Sequence, residues 1–81
     1  MAYIDRSRAP VIGAAGAIRR LLTEQQLSGR QLAERLGVSP PWVYERLRGF
    51  TTITVSDLQR IADALGVPLA SLLSDEEGEA A

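Results

Sequence analysis

Residues 27–49, LSGRQLAERLGVSPPWVYERLRG, spell two short helices joined by a turn too tight for anything but close packing. Leu32, Ala33 and Leu36 recur at helical spacing and define an apolar stripe. Gly37 follows at once, the residue with which a helix leaves through a left-handed cap. After Val38, Ser39 and Pro40 announce a new helix: an N-cap side chain, then a ring preset for the first turn. Val43 and Leu47, four residues apart, give this second helix its own inward face, and the small Ala33 lets it cross the first closely. A helix, a glycine turn and a capped helix aim the start of the second helix outward, as a probe for a groove.

Capping chemistry divides the rest of the chain. Ser28-Gly29-Arg30-Gln31 and Thr54-Val55-Ser56-Asp57 both read as capping boxes, with an acceptor at the N-cap and a polar partner three residues on. Hydrophobic staples flank them, Leu27 with Leu32 and Ile53 with Leu58, and Val38 with Val43 does the same around Ser39. An earlier helix is expected to begin near Pro10 or Val11 and run to about Gln25. Gly13 and Gly16 weaken it by roughly 1 kcal/mol each relative to alanine, which points to close packing of another helix there or else to fraying, the former being favoured. A short last helix over residues 68–73 closes the domain.

Together these strings resemble the Cro/lambda-repressor-like (XRE-type) helix-turn-helix family over roughly residues 11–74. The resemblance rests on Ile18-Arg19-Arg20-Leu21, on residues 27–39, on Arg48-Gly49, and on Leu58-Gln59-Arg60-Ile61-Ala62-Asp63-Ala64-Leu65-Gly66-Val67-Pro68. It implies an all-α, compact five-helix DNA-binding domain with its helix-turn-helix at the second and third helices. The expected organisation is a flexible arm at residues 1–9, the DNA-binding domain at 10–74 and an acidic, disordered tail at 75–81.

Length and composition agree with one small domain. Eighty-one residues lie near the lower limit for a self-sufficient core. Cysteine and histidine are both absent, so no disulfide, no thiolate metal site and no imidazole base is available. Apolar runs are short and interrupted by charge, so no membrane span or signal peptide is expected and a cytoplasmic location is the default. The net charge of −1 is uneven: Asp75, Glu76, Glu77 and Glu79 hold four of the ten acids, leaving nine arginines against six acids, +3, in residues 1–74. That excess suits a polyanionic partner. All nine basic residues are Arg, for which codon bias in a GC-rich genome is the favoured explanation; phosphate recognition also prefers Arg but would not eliminate every Lys.

At 100° per residue, with Val43 facing inward, Leu47 lies about 40° away, while Pro41, Tyr44, Glu45 and Arg48 fall between about 100° and 200°. Trp42 and Arg46 occupy one flank. The resemblance implies that Pro40, Pro41, Tyr44 and Glu45 face base edges, with Ser39 at the helix start. Two prolines stand where many members place Gln, Ser or Arg. They cannot make bidentate contacts, and offer apolar surface suited to thymine methyls or shape matching, or serve only as a rigid start. Glu45 either accepts from a cytosine amino group or pairs with Arg48 or Arg30, the latter being favoured. Tyr44 donates to a phosphate or base, or buries its ring.

Phosphate contacts are expected from Arg30 and Gln31 at the first turn of the earlier helix, and from Arg48, Thr51 and Thr52 at the far end of the recognition helix. The family commonly has Gln just after the Ser cap; here that place is Gly29. Arg19 and Arg20 read as plain solvated surface. Trp42 is expected over the junction of the third and fourth helices, with Arg46 lying along it or reaching the backbone. Phe50 and Ile53 are expected to cap the core, or to form an exposed patch for dimerisation. For residues 1–9, with Arg6 and Arg8, disorder, a minor-groove arm and a strand paired with a second subunit compete, disorder being the default.

The reading that follows is a sequence-specific double-stranded-DNA-binding transcriptional regulator that occupies an operator, like the small Cro-type or immunity-repressor proteins of phages. The alternative is a protein-interaction module on the same fold, an antitoxin or anti-repressor. An enzyme is not expected, since no glycine-rich phosphate loop or acidic cluster stands outside the tail, and no cofactor, metal or small-molecule ligand is implied. The resemblance allows a homodimer, formed in solution or only on DNA, through Leu69, Leu72 and Leu73, with Leu22 a further candidate; for Leu69 and Leu72, closing the monomer core is an equally good reading.

Overall fold

A computed structural model describes residues 10, 11 and 13–73, and within them the chain forms five helices. These are α1 (Ala14–Glu24), α2 (Gly29–Leu36), α3 (Pro40–Leu47), α4 (Val55–Leu65) and α5 (Leu69–Leu73). The expectations for residues 1–9, including Arg6 and Arg8, and for the acidic segment 75–81 lie outside the described residues.

Local chemistry accounts for most boundaries. Ser28 accepts the Gln31 N–H (3.1 Å) while Gln31 Oε1 accepts the Ser28 N–H (2.8 Å). Thr54 and Asp57 repeat this reciprocal pair at 3.1 and 3.2 Å at the start of α4. Each box satisfies a donor that the helix itself leaves orphaned. Gly37 leaves α2 at φ 73°, so the Val38 N–H can reach the Ala33 carbonyl at 3.0 Å; the same bond, Val67 to Ala62, ends α4. This exit turns the chain sharply and sends α3 across α2.

One boundary differs from the sequence expectation. Helix α1 begins at Ala14, not at Pro10 or Val11, because Gly13 is left-handed (φ 87°) and Pro10 and Val11 pair with the loop before α4 instead. Pro10 makes an antiparallel bridge with Thr54, and the Val11 N–H donates to the Ile53 carbonyl at 2.8 Å. Gly13 therefore marks the break between strand-like and helical backbone, and Gly16 is exposed, so neither admits a crossing helix. At its other end α1 closes without a glycine: Gln26 takes φ 58°, and the Leu27 N–H reaches the Leu22 carbonyl at 2.8 Å. A non-glycine residue there costs about 1–2 kcal/mol, offset by that bond and by Gln25, whose Nε2 donates to the Leu65 carbonyl at the end of α4 (3.0 Å).

The core gathers one stripe from each helix. Ala17, Ile18, Leu21 and Leu22 come from α1; Leu32 and Ala33 from α2; Val43 and Leu47 from α3; Leu58, Ile61, Ala62 and Leu65 from α4; Leu72 from α5. Ile53 joins them from the loop. Leu22 is thus a core residue, correcting its reading as a dimer contact. Leu72 is buried as well, so it closes the monomer core and is no dimer contact; Leu69 packs against the core, while Leu73 stays half exposed (50%). Phe50 is 76% exposed and does not cap the core; Ile53 alone fills that place.

Candidate nucleic-acid interface

Helix α3 turns Val43 and Leu47 inward and leaves Pro41, Tyr44, Glu45 and Arg48 exposed, the arrangement its periodicity predicts. Pro41, Tyr44, Glu45 and Arg48, with Phe50 just beyond the helix, line an open depression of about 400 Å³. Prolines at the first two helical positions remove two of the N–H groups that a helix start ordinarily offers. The Trp42 N–H, the next donor, bonds the Ser39 carbonyl at 3.0 Å. Ser39 occupies the N-cap position, yet its hydroxyl makes no capping bond, because Pro41 has no N–H to give and that of Trp42 is taken. The hydroxyl is left at an exposed helix start beside half-buried Pro40.

Beside it, the first turn of α2 places Gly29 against the ring of Tyr44, with Arg30 exposed at the next position. The Gln31 side-chain oxygen accepts within the capping box, while its amide nitrogen is open to a partner. At the other end of α3, the Phe50 and Thr51 N–H groups both donate to the Glu45 carbonyl (2.8 and 3.2 Å). That fold-back sets Thr51 half-buried and Thr52 exposed. The Glu45 carboxylate pairs with neither Arg30 nor Arg48 among the described residues, against the favoured expectation; both guanidinium groups stand free in solvent there.

The remaining described arginines are engaged in the fold. Arg19 donates through Nη2 to the Leu47 carbonyl at the C-terminal end of α3, so it is a tether between α1 and α3 rather than plain solvated surface. Arg35 reaches the Ala64 carbonyl (3.2 Å) and Arg60 the Leu36 carbonyl (3.4 Å), each supplying a cation to another helix's C-terminal end. Arg20 sits 3.6 Å from Glu24 one turn on. Arg46 lies flat on Trp42, its guanidinium carbon 3.7 Å from the ring centroid, and donates to the Trp42 carbonyl (3.1 Å) and to Asp57 Oδ2 (3.2 Å). Arg60 flanks the same ring at 5.6 Å. Trp42 thereby sits at the α3–α4 junction as expected. The tethering roles of Arg19, Arg35 and Arg60 join residues 24 to 29 positions apart, and no local pattern announces them.

A capped two-helix hairpin with a tight glycine exit, its second helix braced from behind and bare in front, defines a helix-turn-helix domain. The family model described as helix-turn-helix matches residues 18–72, and the chain belongs to that family, of the XRE type, whose members are DNA-binding transcription regulators. Among solved structures it is similar to the clp gene regulator ClgR from C. glutamicum, with a TM-score of 0.74, 29% sequence identity, and 84% of this chain and 88% of that chain covered. No curated protein matches it. No helix among the described residues is long and apolar enough to cross a membrane.

Proposed function

We propose that the protein is an operator-binding regulator of the Cro or immunity-repressor kind, with α3 lying in the major groove of double-stranded DNA. The observation that carries this is the partition of its arginines. Among the described residues, five of the seven are bonded within the fold, and the two that are free, Arg30 and Arg48, bracket the outward face of α3. Free cations flanking a protruding helix suit phosphates on either side of a groove. Ser39, Pro40, Pro41, Tyr44 and Glu45 then face base edges, and Arg30, Gln31, Arg48, Thr51 and Thr52 face the backbone. A single domain reads a short site, so useful specificity calls for two copies on half-sites about one helical turn apart. Leu73 on α5 is an exposed apolar position open to such pairing.

Selection from a random double-stranded DNA pool at two salt concentrations tests the proposal. A two-fold-related motif with about ten base pairs between half-site centres is the expected result. A single short motif would reject the paired-copy arrangement, and no enrichment at low salt would reject DNA reading and favour protein interaction. Arg48→Ala should weaken binding to every sequence and lower the magnitude of the salt slope by about one unit, as loss of one phosphate contact requires. Titrations of the variant at four or more salt concentrations measure this. An unchanged slope removes Arg48 from the backbone set.

A further inference from the structure

Gly29 opens α2 in ordinary helical geometry; it is not among the residues with positive φ, so its backbone does not call for glycine. A glycine in a helix is otherwise a cost relative to alanine. What glycine supplies here is space. A Cβ on residue 29 would lie 2.8 Å from Tyr44 Cε1, 2.9 Å from Cζ and 3.1 Å from the hydroxyl oxygen. The Tyr44 ring therefore lies where a side chain at position 29 would stand, and Gly29 is buried beneath it.

A ring seated against helix backbone loses much of the freedom that an exposed tyrosine keeps, and tyrosine has little rotamer entropy to lose. Tyr44 nevertheless remains 38% exposed, on the outward face of α3. It forms one wall of the depression whose other apolar lining is Pro41 and Phe50. Pro41 is rigid by its ring closure, and neither it nor Pro40 carries an N–H. This end of α3 thus presents fixed apolar surface and few donors. In the major groove the one apolar group on a base edge is the thymine C5-methyl.

We propose that Tyr44 and Pro41 read a thymine methyl group, and that Gly29 is a positioning residue whose missing side chain seats the Tyr44 ring for that contact. The inference rests on the DNA-reading assignment above and names the base chemistry that this face selects. Polar Glu45 and Arg48 border the same depression.

The test uses the full chain and the sequence recovered by selection, resynthesised with deoxyuridine replacing each thymidine in turn, which deletes one methyl and nothing else. At one or more positions the loss should be about fourfold in Kd, the equivalent of one buried methyl group. In Tyr44→Ala that thymine–uracil difference should vanish. Gly29→Ala should push the exposed ring outward, reducing the difference below twofold while affinity for random DNA and the melting temperature are held. In a Tyr44→Ala background, Gly29→Ala should have no further effect on discrimination. Uracil tolerated at every position, with selection otherwise intact, would overturn methyl reading and leave DNA binding standing. Failure of selection itself would bring down both. Gly29→Ala with full discrimination, or with equal losses on all DNAs, would overturn the positioning role.

Discussion

Leu32→Ala is expected to lower the stability of the domain by about 2–5 kcal/mol, the range for emptying a fully buried leucine site. Leu32 has no exposed surface, and it stands four positions past the Ser28 cap, with Leu27 packed against the same core from outside the helix. A chain of this length has a total stability on the order of 4–12 kcal/mol. The substitution therefore removes a large share of it, and the melting temperature should fall by roughly 10 °C or more. Arg30→Ala, on an exposed position of the same helix, should stay within about 0.5 kcal/mol of the parent. Thermal unfolding followed by far-ultraviolet circular dichroism compares the two. Equal melting temperatures would mean that the α2 stripe does not anchor the hairpin.

The difference between those two positions is written in the local sequence, and so is much of the fold. Three helix starts are encoded within four residues each, as Ser28 with Gln31, Ser39 with Pro40, and Thr54 with Asp57, and the helices start there. The inward faces are equally local, because a period of 3.6 residues needs no knowledge of what packs against it. The start of α1 is not local. Pro10 and Val11 are drawn into extended backbone by Thr54 and Ile53, more than forty residues away, so the helix waits for Gly13. Nor is the left-handed Gln26, which carries none of the usual glycine signal.

The same division runs through the candidate interface. The outward set of Pro41, Tyr44, Glu45 and Arg48 is a matter of angle alone, and it is exposed as the wheel places it. Which cations are free is a tertiary matter. Arg19, Arg35 and Arg60 look like surface arginines until a distant helix end presents its carbonyl. Gly29 departs visibly from the family pattern, and Tyr44 sits visibly at a groove-facing angle. Their meeting across the turn requires the crossing of α2 and α3, which no single segment encodes.

The brace behind the recognition helix makes the second large prediction. Arg46 and Asp57 are 16% and 15% exposed, so their 3.2 Å contact is only weakly screened. Asp57 Oδ2 also accepts the Thr54 N–H, which joins the side of α3 to the cap of α4 through one carboxylate. Arg46→Ala deletes that bond, the bond to the Trp42 carbonyl and the stacking on the indole together. The expected loss is about 2–3 kcal/mol, given 1.5–3 kcal/mol for a hydrogen bond to a charged group. Arg46→Lys keeps the charge but not the planar fork, and should recover less than half of it. A double-mutant cycle with Asp57→Ala should show coupling of at least about 0.5 kcal/mol, since both partners are removed from one network. The functional consequence follows from geometry. Without the Arg46–Asp57 bond and the stacking on Trp42, the side of α3 that faces α4 loses its polar anchor, and its roll relative to α4 is less tightly fixed. At a temperature where the variant is folded, binding to a selected operator should fall by a larger factor than binding to random DNA, because base edges demand closer placement than phosphates do. Equal losses on both DNAs would show that Arg46 supports the fold without aiming the helix.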